Sequence, residues 1–330
     1  MRIAIDAMGG DHAPSLIVQG AMDAAAEWPD TELVLVGDKA AIEPLLNGKK
    51  PANVTLCHTD EVIGPDEEPV KAVRRKKGSS MVVAGQLVRE KHADAMISAG
   101  NTGALMTTGL LVVGRLEGIE RPALAPMLPT MDDIGVLALD LGANMDAKPE
   151  HLLQYAIMGS IYRTKVHGLD NPRVGLLNVG TEERKGNELT KAAYDLLEQA
   201  PINFIGNVEA RDLLNRSCDI LICDGFAGNI MLKAIEGTAG TLMTYLKEAF
   251  GESFMTKIAA AIMMPKLRSL RKKMDYKEHG SAPLLGLNGL VMKCHGSSDA
   301  LAVKSAIRQA RVAIKAQLTE SIAVEIGGRS

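Results

Sequence analysis

Short apolar runs recur along the chain, and between most of them the apolar positions fall at helical spacing. Residues 2–7 read as a buried strand, and residues 15–27 as the helix that follows it. Further strands are predicted at 32–36, 54–58, 93–98, 134–139, 173–179 and 219–223. Helical patterns lie at 70–91, 102–115, 149–166 and 187–199. Nearly continuous apolar strands alternating with helices predict the α/β class, with a mostly parallel sheet covered on both faces. No repeat, low-complexity tract or linker interrupts the pattern, so residues 1–330 are read as a single three-layer α/β/α domain.

The stretch 227–277 breaks this rhythm. It carries no clear strand signal and predicts two consecutive long helices that turn at Gly251-Glu252-Ser253. Residues 227–280 are therefore expected to project as a helical hairpin. The chain returns through 282–293 as a strand or hairpin and ends in a helix over 298–324.

Composition narrows the class. With 330 residues, 46% of them hydrophobic, the chain can bury a large core, which excludes a disordered or collagen-like protein. Aromatic residues make up 3% and the net charge is -3, which suits neither a base-stacking platform nor a basic nucleic-acid binder. No nucleic-acid partner is expected. Cys57, Cys218, Cys223 and Cys294 show no C-x-x-C spacing, which argues against a disulfide framework or a zinc site and fits a reducing cytoplasm. No metal is expected. Asp6 falls where a signal peptide needs an apolar run, and no apolar stretch approaches the ~18 residues of a membrane span. A soluble protein is expected, one that could still lie on a membrane surface.

The candidate chemistry sits in Gly/Asn loops, each after a predicted strand. Asp6-Ala7-Met8-Gly9-Gly10-Asp11-His12 is the first, and Ser98-Ala99-Gly100-Asn101-Thr102-Gly103 the next. Leu141-Gly142-Ala143-Asn144, Asn178-Val179-Gly180-Thr181 and Cys223-Asp224-Gly225-Phe226-Ala227-Gly228-Asn229 follow the same rule. Ligands of parallel sheets bind at the carboxyl ends of strands, where these loops gather. Glycine lets backbone amides approach a ligand, helix N-termini favour anions, and Asn adds neutral donors. Any one such loop is ordinarily a turn or a helix cap. Their recurrence points to a site for phosphate or another oxyanion.

Three side chains beside these loops are singled out. His12 is either a phosphate contact or a hydrogen-bonded loop histidine. His295 opens His295-Gly296-Ser297-Ser298-Asp299 before the last helix, where ligand contact and capping are both open and Ser298 is a cap candidate. Lys185 stands in Glu182-Glu183-Arg184-Lys185-Gly186-Asn187-Glu188, between a strand and a helix. A solvated lysine is the ordinary reading there. There is no G-x-G-x-x-G fingerprint, P-loop, G-x-S-x-G elbow or H-E-x-x-H motif, and no cofactor is expected.

Two basic runs remain: Lys71, Arg74, Arg75, Lys76 and Lys77, and Arg268, Arg271, Lys272 and Lys273. Solvated helix faces are the default for both. The second adjoins Phe254, Met255, Ile258, Ile262, Met263 and Met264, whose spacing makes one apolar helical face. Such a helix either lies in a membrane interface or packs against a partner subunit.

The opening Ile5-Asp6-Ala7-Met8-Gly9-Gly10-Asp11-His12-Ala13-Pro14 resembles the start of the bacterial phosphate acyltransferases, the PlsX family. The likeness continues through 71–81, 98–105, 139–144, 176–188, 206–212, 223–233, 280–291 and 294–298, nearly the whole chain, and is weakest over 254–273. The resemblance implies a phosphotransacetylase- or isocitrate-dehydrogenase-like α/β/α fold and a homodimer. It implies formation of acyl phosphate from acyl-acyl carrier protein and inorganic phosphate. The product would pass to a membrane glycerol-3-phosphate acyltransferase, with the enzyme cytoplasmic and held at the inner membrane face. It also implies that Lys185 and Asn229 are catalytic, with residues 227–280 serving dimer or membrane contact. The strand-end residues named above, Asp11, Gly100, Asn101, Thr102, Asn144, Asn178, Asn187, Asp224, Gly225 and Gly228 among them, would then bind substrate. A coenzyme A-dependent phosphotransacetylase, a decarboxylating dehydrogenase and a membrane scaffold are the rival readings.

Overall fold

Two sheets, rather than one, organise the chain. The computed structural model describes residues 1–46, 48, 51–132, 134–251, 263, 264, 266 and 281–327. The first sheet is built from β1 (Arg2–Asp6), β2 (Glu32–Gly37), β3 (Val54–His58), β4 (Ala95–Ser98), β5 (Ala123–Leu124), β11 (Ser281–Leu285) and β12 (Leu290–Cys294). Its order is β3-β2-β1-β4-β12-β11-β5, parallel from β3 to β12 and antiparallel beyond. The second holds β6 (Met127–Leu128), β7 (Val136–Leu139), β8 (Arg173–Asn178), β9 (Asn203–Glu209) and β10 (Ile220–Ile222) in the order β6-β7-β10-β8-β9. There only β6 runs antiparallel.

The helices are α1 (Ser15–Glu27), α2 (Lys39–Ile42), α3 (Pro69–Arg75), α4 (Ser80–Arg89), α5 (Thr102–Thr108), α6 (Pro149–His167), α7 (Glu188–Glu198), α8 (Gly225–Gly251), α9 (Ala300–Lys315) and α10 (Leu318–Gly327). One apolar cluster runs through both sheets. It joins Ile3, Ile5 and Ile97 of the first to Leu137, Leu139 and Ile220 of the second, with Tyr155 of α6 and Ile307 of α9. Burial of that continuous apolar surface is what holds the two sheets in one body.

The expected mostly parallel sheet is thus divided, because the short antiparallel pairs β5–β11 and β6–β7 end each sheet on one edge. The helix expected over 70–91 breaks into α3 and α4. Its break is tertiary: Ser79 bridges to Glu61, and the Ser80 N–H donates to the Glu61 carbonyl at 3.0 Å. The helix expected over 102–115 is α5 and a wider turn, Gly109–Val113, that stops at Gly114 with φ 90°. The last helix divides at Gln317, whose φ is 50°. β9 was not expected: Asn203, Gly206 and Asn207 interrupt its apolar positions, and Gly206, with φ 91°, sits at the shift in register against β8.

At the centre of the first sheet the chain turns back between β1 and β4, and the loops after these strands meet. A Cβ on Gly9 would stand 2.8 Å from the Gly100 nitrogen, so no larger residue fits this crossing. Of the hairpin expected over 227–280, α8 supplies the first helix. Glu252, Ser253, Phe254, Ile258, Ile262, Arg268, Arg271 and Lys272 lie outside the described residues, and Met263 is exposed.

Candidate active site

Each sheet ends in a buried aspartate that shapes a glycine loop. In the first sheet, Asp6 closes β1 and is 1% exposed. The Ser80 and Ser98 hydroxyls each donate to its carboxylate at 2.6 Å, and the Met8 amide donates at 3.3 Å. Burial raises its pKa against the opposing pull of these hydrogen bonds. Ser98 Oγ in turn accepts the Gly100 N–H at 3.0 Å. The following turn is tied to the β12 end, where the Asp11 N–H donates to the Gly296 carbonyl at 2.8 Å.

Here the structure gives several predicted residues specific local tasks. Asn101 caps α5, its Oδ1 accepting the Ala104 N–H at 3.0 Å, while its Nδ2 donates to the Pro65 carbonyl at 2.8 Å. Thr102 is the first residue of α5, and His12 lies exposed on the turn before α1. His295 Nδ1 and Ser297 Oγ stand 2.9 Å apart. The capping role expected of Ser298 belongs instead to Asp299, whose carboxylate accepts the Ala302 N–H at 2.8 Å; Ser298 is buried. His295 and Ser298 line an open cleft of about 530 Å³ with Trp28 and Arg308.

Lys293 was not foreseen. Its side chain is buried at the end of β12, donates to the Cys294 carbonyl, and has its pKa lowered by that burial against the fields of Asp6 and Asp11. The signal was a lysine inside the apolar run Val291-Met292-Lys293-Cys294.

At the end of the second sheet the loops after β7, β8 and β10 lie side by side. Asp140, also missed, is fully buried after β7. The loop it starts carries Asn144, whose carbonyl accepts the N–H of Gly225, the first residue of α8, at 3.0 Å. Asp224 caps that helix, accepting from the Phe226 and Ala227 amides at 2.9 Å each. Gly228 is required by close approach, since a Cβ there would stand 2.2 Å from the Asp140 carbonyl oxygen. The side chain of Asn229, one residue on, makes no hydrogen bond among the described residues, so its amide is free for a ligand.

Lys185 belongs to the loop after β8. Its carbonyl accepts from Asn178 Nδ2 at 3.0 Å, and the same Nδ2 reaches Asn207 Oδ1 at 3.1 Å. Asn178 therefore braces the loop. Asn187 caps α7 through the Thr190 N–H at 2.9 Å. The Lys185 ammonium is half exposed and stands 3.7 Å from Glu182 Oε1, a weak surface pair that leaves its charge available.

Asn178, Asn187 and Asp224 line a cleft of about 1330 Å³ together with Phe226, Ile230 and Met231 of α8. Asn144 Nδ2 donates to the Pro122 carbonyl at 2.9 Å, which joins this loop cluster to the edge of the first sheet.

The thiols beside these loops are sealed. Cys223 and Cys294 are 3% and 1% exposed. Burial pushes the Cys294 thiol up to about 12, and the Cys223 thiol well up.

A family model described as "Fatty acid synthesis protein" matches residues 1–321. A phosphate acyltransferase of Oceanobacillus iheyensis is 57% identical over 326 residues, covering 99% of this chain and 97% of the relative. Another, from a Geobacillus strain, is 58% identical over 311 residues, covering 94% of each. Among solved structures, a phosphotransacetylase from Streptococcus pyogenes matches with TM-score 0.60 at 18% identity, covering 97% of this chain and 94% of that one. A branched-chain phosphotransacylase from Enterococcus faecalis matches with TM-score 0.55 at 13% identity, covering 95% and 99%. The fold is therefore the phosphotransacetylase-like α/β fold that the resemblance implied. By sequence the chain belongs to the fatty acid synthesis protein family, and it is an acyl-transferring enzyme.

Proposed function

We propose that the enzyme forms acyl phosphate from acyl-acyl carrier protein and inorganic phosphate, for use by a membrane glycerol-3-phosphate acyltransferase. A phosphate oxygen attacks the thioester carbonyl carbon and forms the new C–O bond. The tetrahedral oxyanion collapses, the C–S bond breaks, and the carrier thiolate leaves and takes its proton from water. Such a thiol has a pKa near ~8.5, so its departure needs little acid assistance. The enzyme's work is positioning and oxyanion stabilisation. Lys185 holds phosphate or the developing charge, and Asn229 donates to the oxyanion or orients phosphate. Backbone amides at Gly100, Asn101 and Thr102 and at Gly225 and Gly228 complete the cradle, with Asp11, His12 and His295 at its first-sheet side.

The observation that carries this reading is that the loops after the neighbouring strands β8 and β10 carry a cation, Lys185, and an uncommitted side-chain amide, Asn229, while the thiols beside them are sealed. Neither buried thiol is placed to take the acyl group, which supports phosphate itself as the nucleophile. Without phosphate, the acyl-carrier donor is expected to release no thiol and to leave no acyl adduct in the enzyme's intact mass. With phosphate, thiol and acyl phosphate appear in equal amounts. Acylation of Cys223, or thiol release without phosphate, would overturn direct attack.

The proposal includes one α/β/α catalytic unit, acting as a homodimer at the inner membrane face. The support for membrane or dimer contact is the sequence pattern of Phe254, Ile258, Ile262 and Met263 beside Arg268, Arg271 and Lys272. Among the described residues no helix is long and apolar enough to cross a membrane.

The acidic carrier protein calls for a basic surface near the site. α3 and the turn after it offer one: Lys71, Arg74, Arg75 and Lys77 are exposed. Lys76 is not part of it, being bound to Glu67 at 2.6 Å and to the Val62 carbonyl at 2.7 Å. α3 packs on α5, whose N-terminus is the Gly100–Thr102 loop of the site. The double change Arg74→Glu, Arg75→Glu is expected to raise KM for the acyl-carrier donor about tenfold and to flatten its salt dependence. An unchanged KM would move docking away from α3.

A further inference from the structure

Asp140 does two jobs at once. Its backbone continues the β7–β10 register: its N–H donates to the Cys223 carbonyl at 2.9 Å, and its carbonyl accepts from the Cys223 thiol at 3.2 Å. Its carboxylate turns to the loop that follows. Oδ1 accepts the Ala143 N–H at 3.2 Å, and Oδ2 accepts the Asn144 N–H at 2.5 Å and Asn144 Nδ2 at 3.2 Å. Among the described residues no cation pairs with it. Neutral amides supply the compensation for a fully buried charge, and a carboxylate kept at that cost calls for a use.

The loop held in this way is the floor on which α8 begins. Asn144 reaches Gly225 through its carbonyl and Pro122 through its side chain, at 3.0 and 2.9 Å. Gly142 faces the first turn of the helix, where its missing Cβ would lie 3.4 Å from Asn229 Cγ. A continuous line of contacts therefore joins the Asp140 carboxylate to the loop, and the loop to Asn229.

We propose that Asp140, as a carboxylate, is a positioning residue that sets the 141–144 loop and, through it, the placement of Asn229 against the reacting acyl group. The inference rests on the assignment of Asn229 to substrate. Protonation would put a donor where backbone N–H groups now point at an acceptor, and the loop would have to shift. Burial pushes the Asp140 acid up to about 6, outweighing its amide donors, so the exchange falls close to neutral pH. The groups facing it are Tyr155 from α6, whose hydroxyl is buried without a hydrogen-bond partner among the described residues, and Cys223 just after β10, with Asp224 beside Cys223 and Arg121 beside Tyr155. Tyr155 and Cys223 are both pushed upward by burial and stay neutral through this range.

The test compares the wild-type enzyme with Asp140→Asn across about pH 5 to 8, reading kcat for acyl phosphate formation. The ratio of the two rates cancels the titration of phosphate itself. A ratio on the order of 10² at the alkaline end is expected. It should shrink as pH falls through about 6. A ratio that does not vary with pH overturns the proposal.

Should the variant fail to fold, carboxyl and side-chain amide resonances of the wild-type protein decide. Asp140 and the Asn229 side chain should move with one shared midpoint, and an Asn229 resonance that stays still while Asp140 titrates overturns the proposal. Turnover of Asn229→Ala separates this from the functional reading. A near-wild-type rate there removes Asn229 from the chemistry, whereas the shared midpoint reports on the coupling of Asp140 to Asn229 whatever the reaction.

Discussion

Lys185→Ala and Asn229→Ala are each expected to lower kcat by about 10²–10³-fold, the usual loss when one preorganised donor is removed from a developing oxyanion. Neither change should disturb the fold. The Lys185 side chain is 53% exposed, and its 3.7 Å pair with Glu182 is of the kind worth little to stability. The Asn229 side chain spends no hydrogen bond on the protein among the described residues. Steady-state kinetics and thermal unfolding on the same preparations check both halves. A variant that keeps near-wild-type turnover removes its residue from the mechanism. A variant that loses activity in step with its melting temperature shows a structural role instead.

Gly228→Ala is expected to be worse than either. The added methyl would meet the Asp140 carbonyl oxygen at 2.2 Å, Cys223 Sγ at 2.7 Å and Leu141 Cδ2 at 2.9 Å. The carbonyl cannot retreat, because Asp140 is fixed to β10 by its own hydrogen bonds to Cys223. The first turn of α8 must move away, carrying Asn229 with it. A stability loss on the order of 3 kcal/mol is expected from such overpacking. The activity loss should exceed that of Asn229→Ala. Gly237 on the same helix is the control: among the described residues a Cβ there meets nothing within 4 Å. Gly237→Ala should leave activity intact and stabilise the helix by up to about 1 kcal/mol. Equal behaviour of the two variants in melting and kinetics would contradict the close-approach argument.

The elements that patterning predicts well are those whose burial is local. α1 spans 15–27 and β3 spans 54–58, as expected, because each is a run bounded by its own turn residues. The break between α3 and α4 was hidden because its causes are remote: Ser80, where the helix resumes, is held by Glu61 and by Asp6, 74 residues away in sequence. β9 was hidden because an edge strand with Asn203, Gly206 and Asn207 lacks the apolar alternation that marks a strand.

The loops were legible as a set, but the tasks of single residues were not. Sequence treats Asn101, Asn178, Asn187 and Asn229 as equivalent donors. The fold commits Asn101 and Asn187 to helix caps and Asn178 to bracing the Lys185 loop, and leaves Asn229 free. Asp6 and Asp140 looked like ordinary loop leaders, since nothing local records that a carboxylate is buried. The available signal was their shared position, an acid ending an apolar run directly before a glycine loop.

The central claim is tested most directly by incubating the purified enzyme with long-chain acyl-acyl carrier protein and labelled inorganic phosphate, beside a parallel reaction with acyl-coenzyme A. The account predicts labelled acyl phosphate from the carrier-protein donor and none from coenzyme A. Product from coenzyme A alone, or from neither donor, would contradict it.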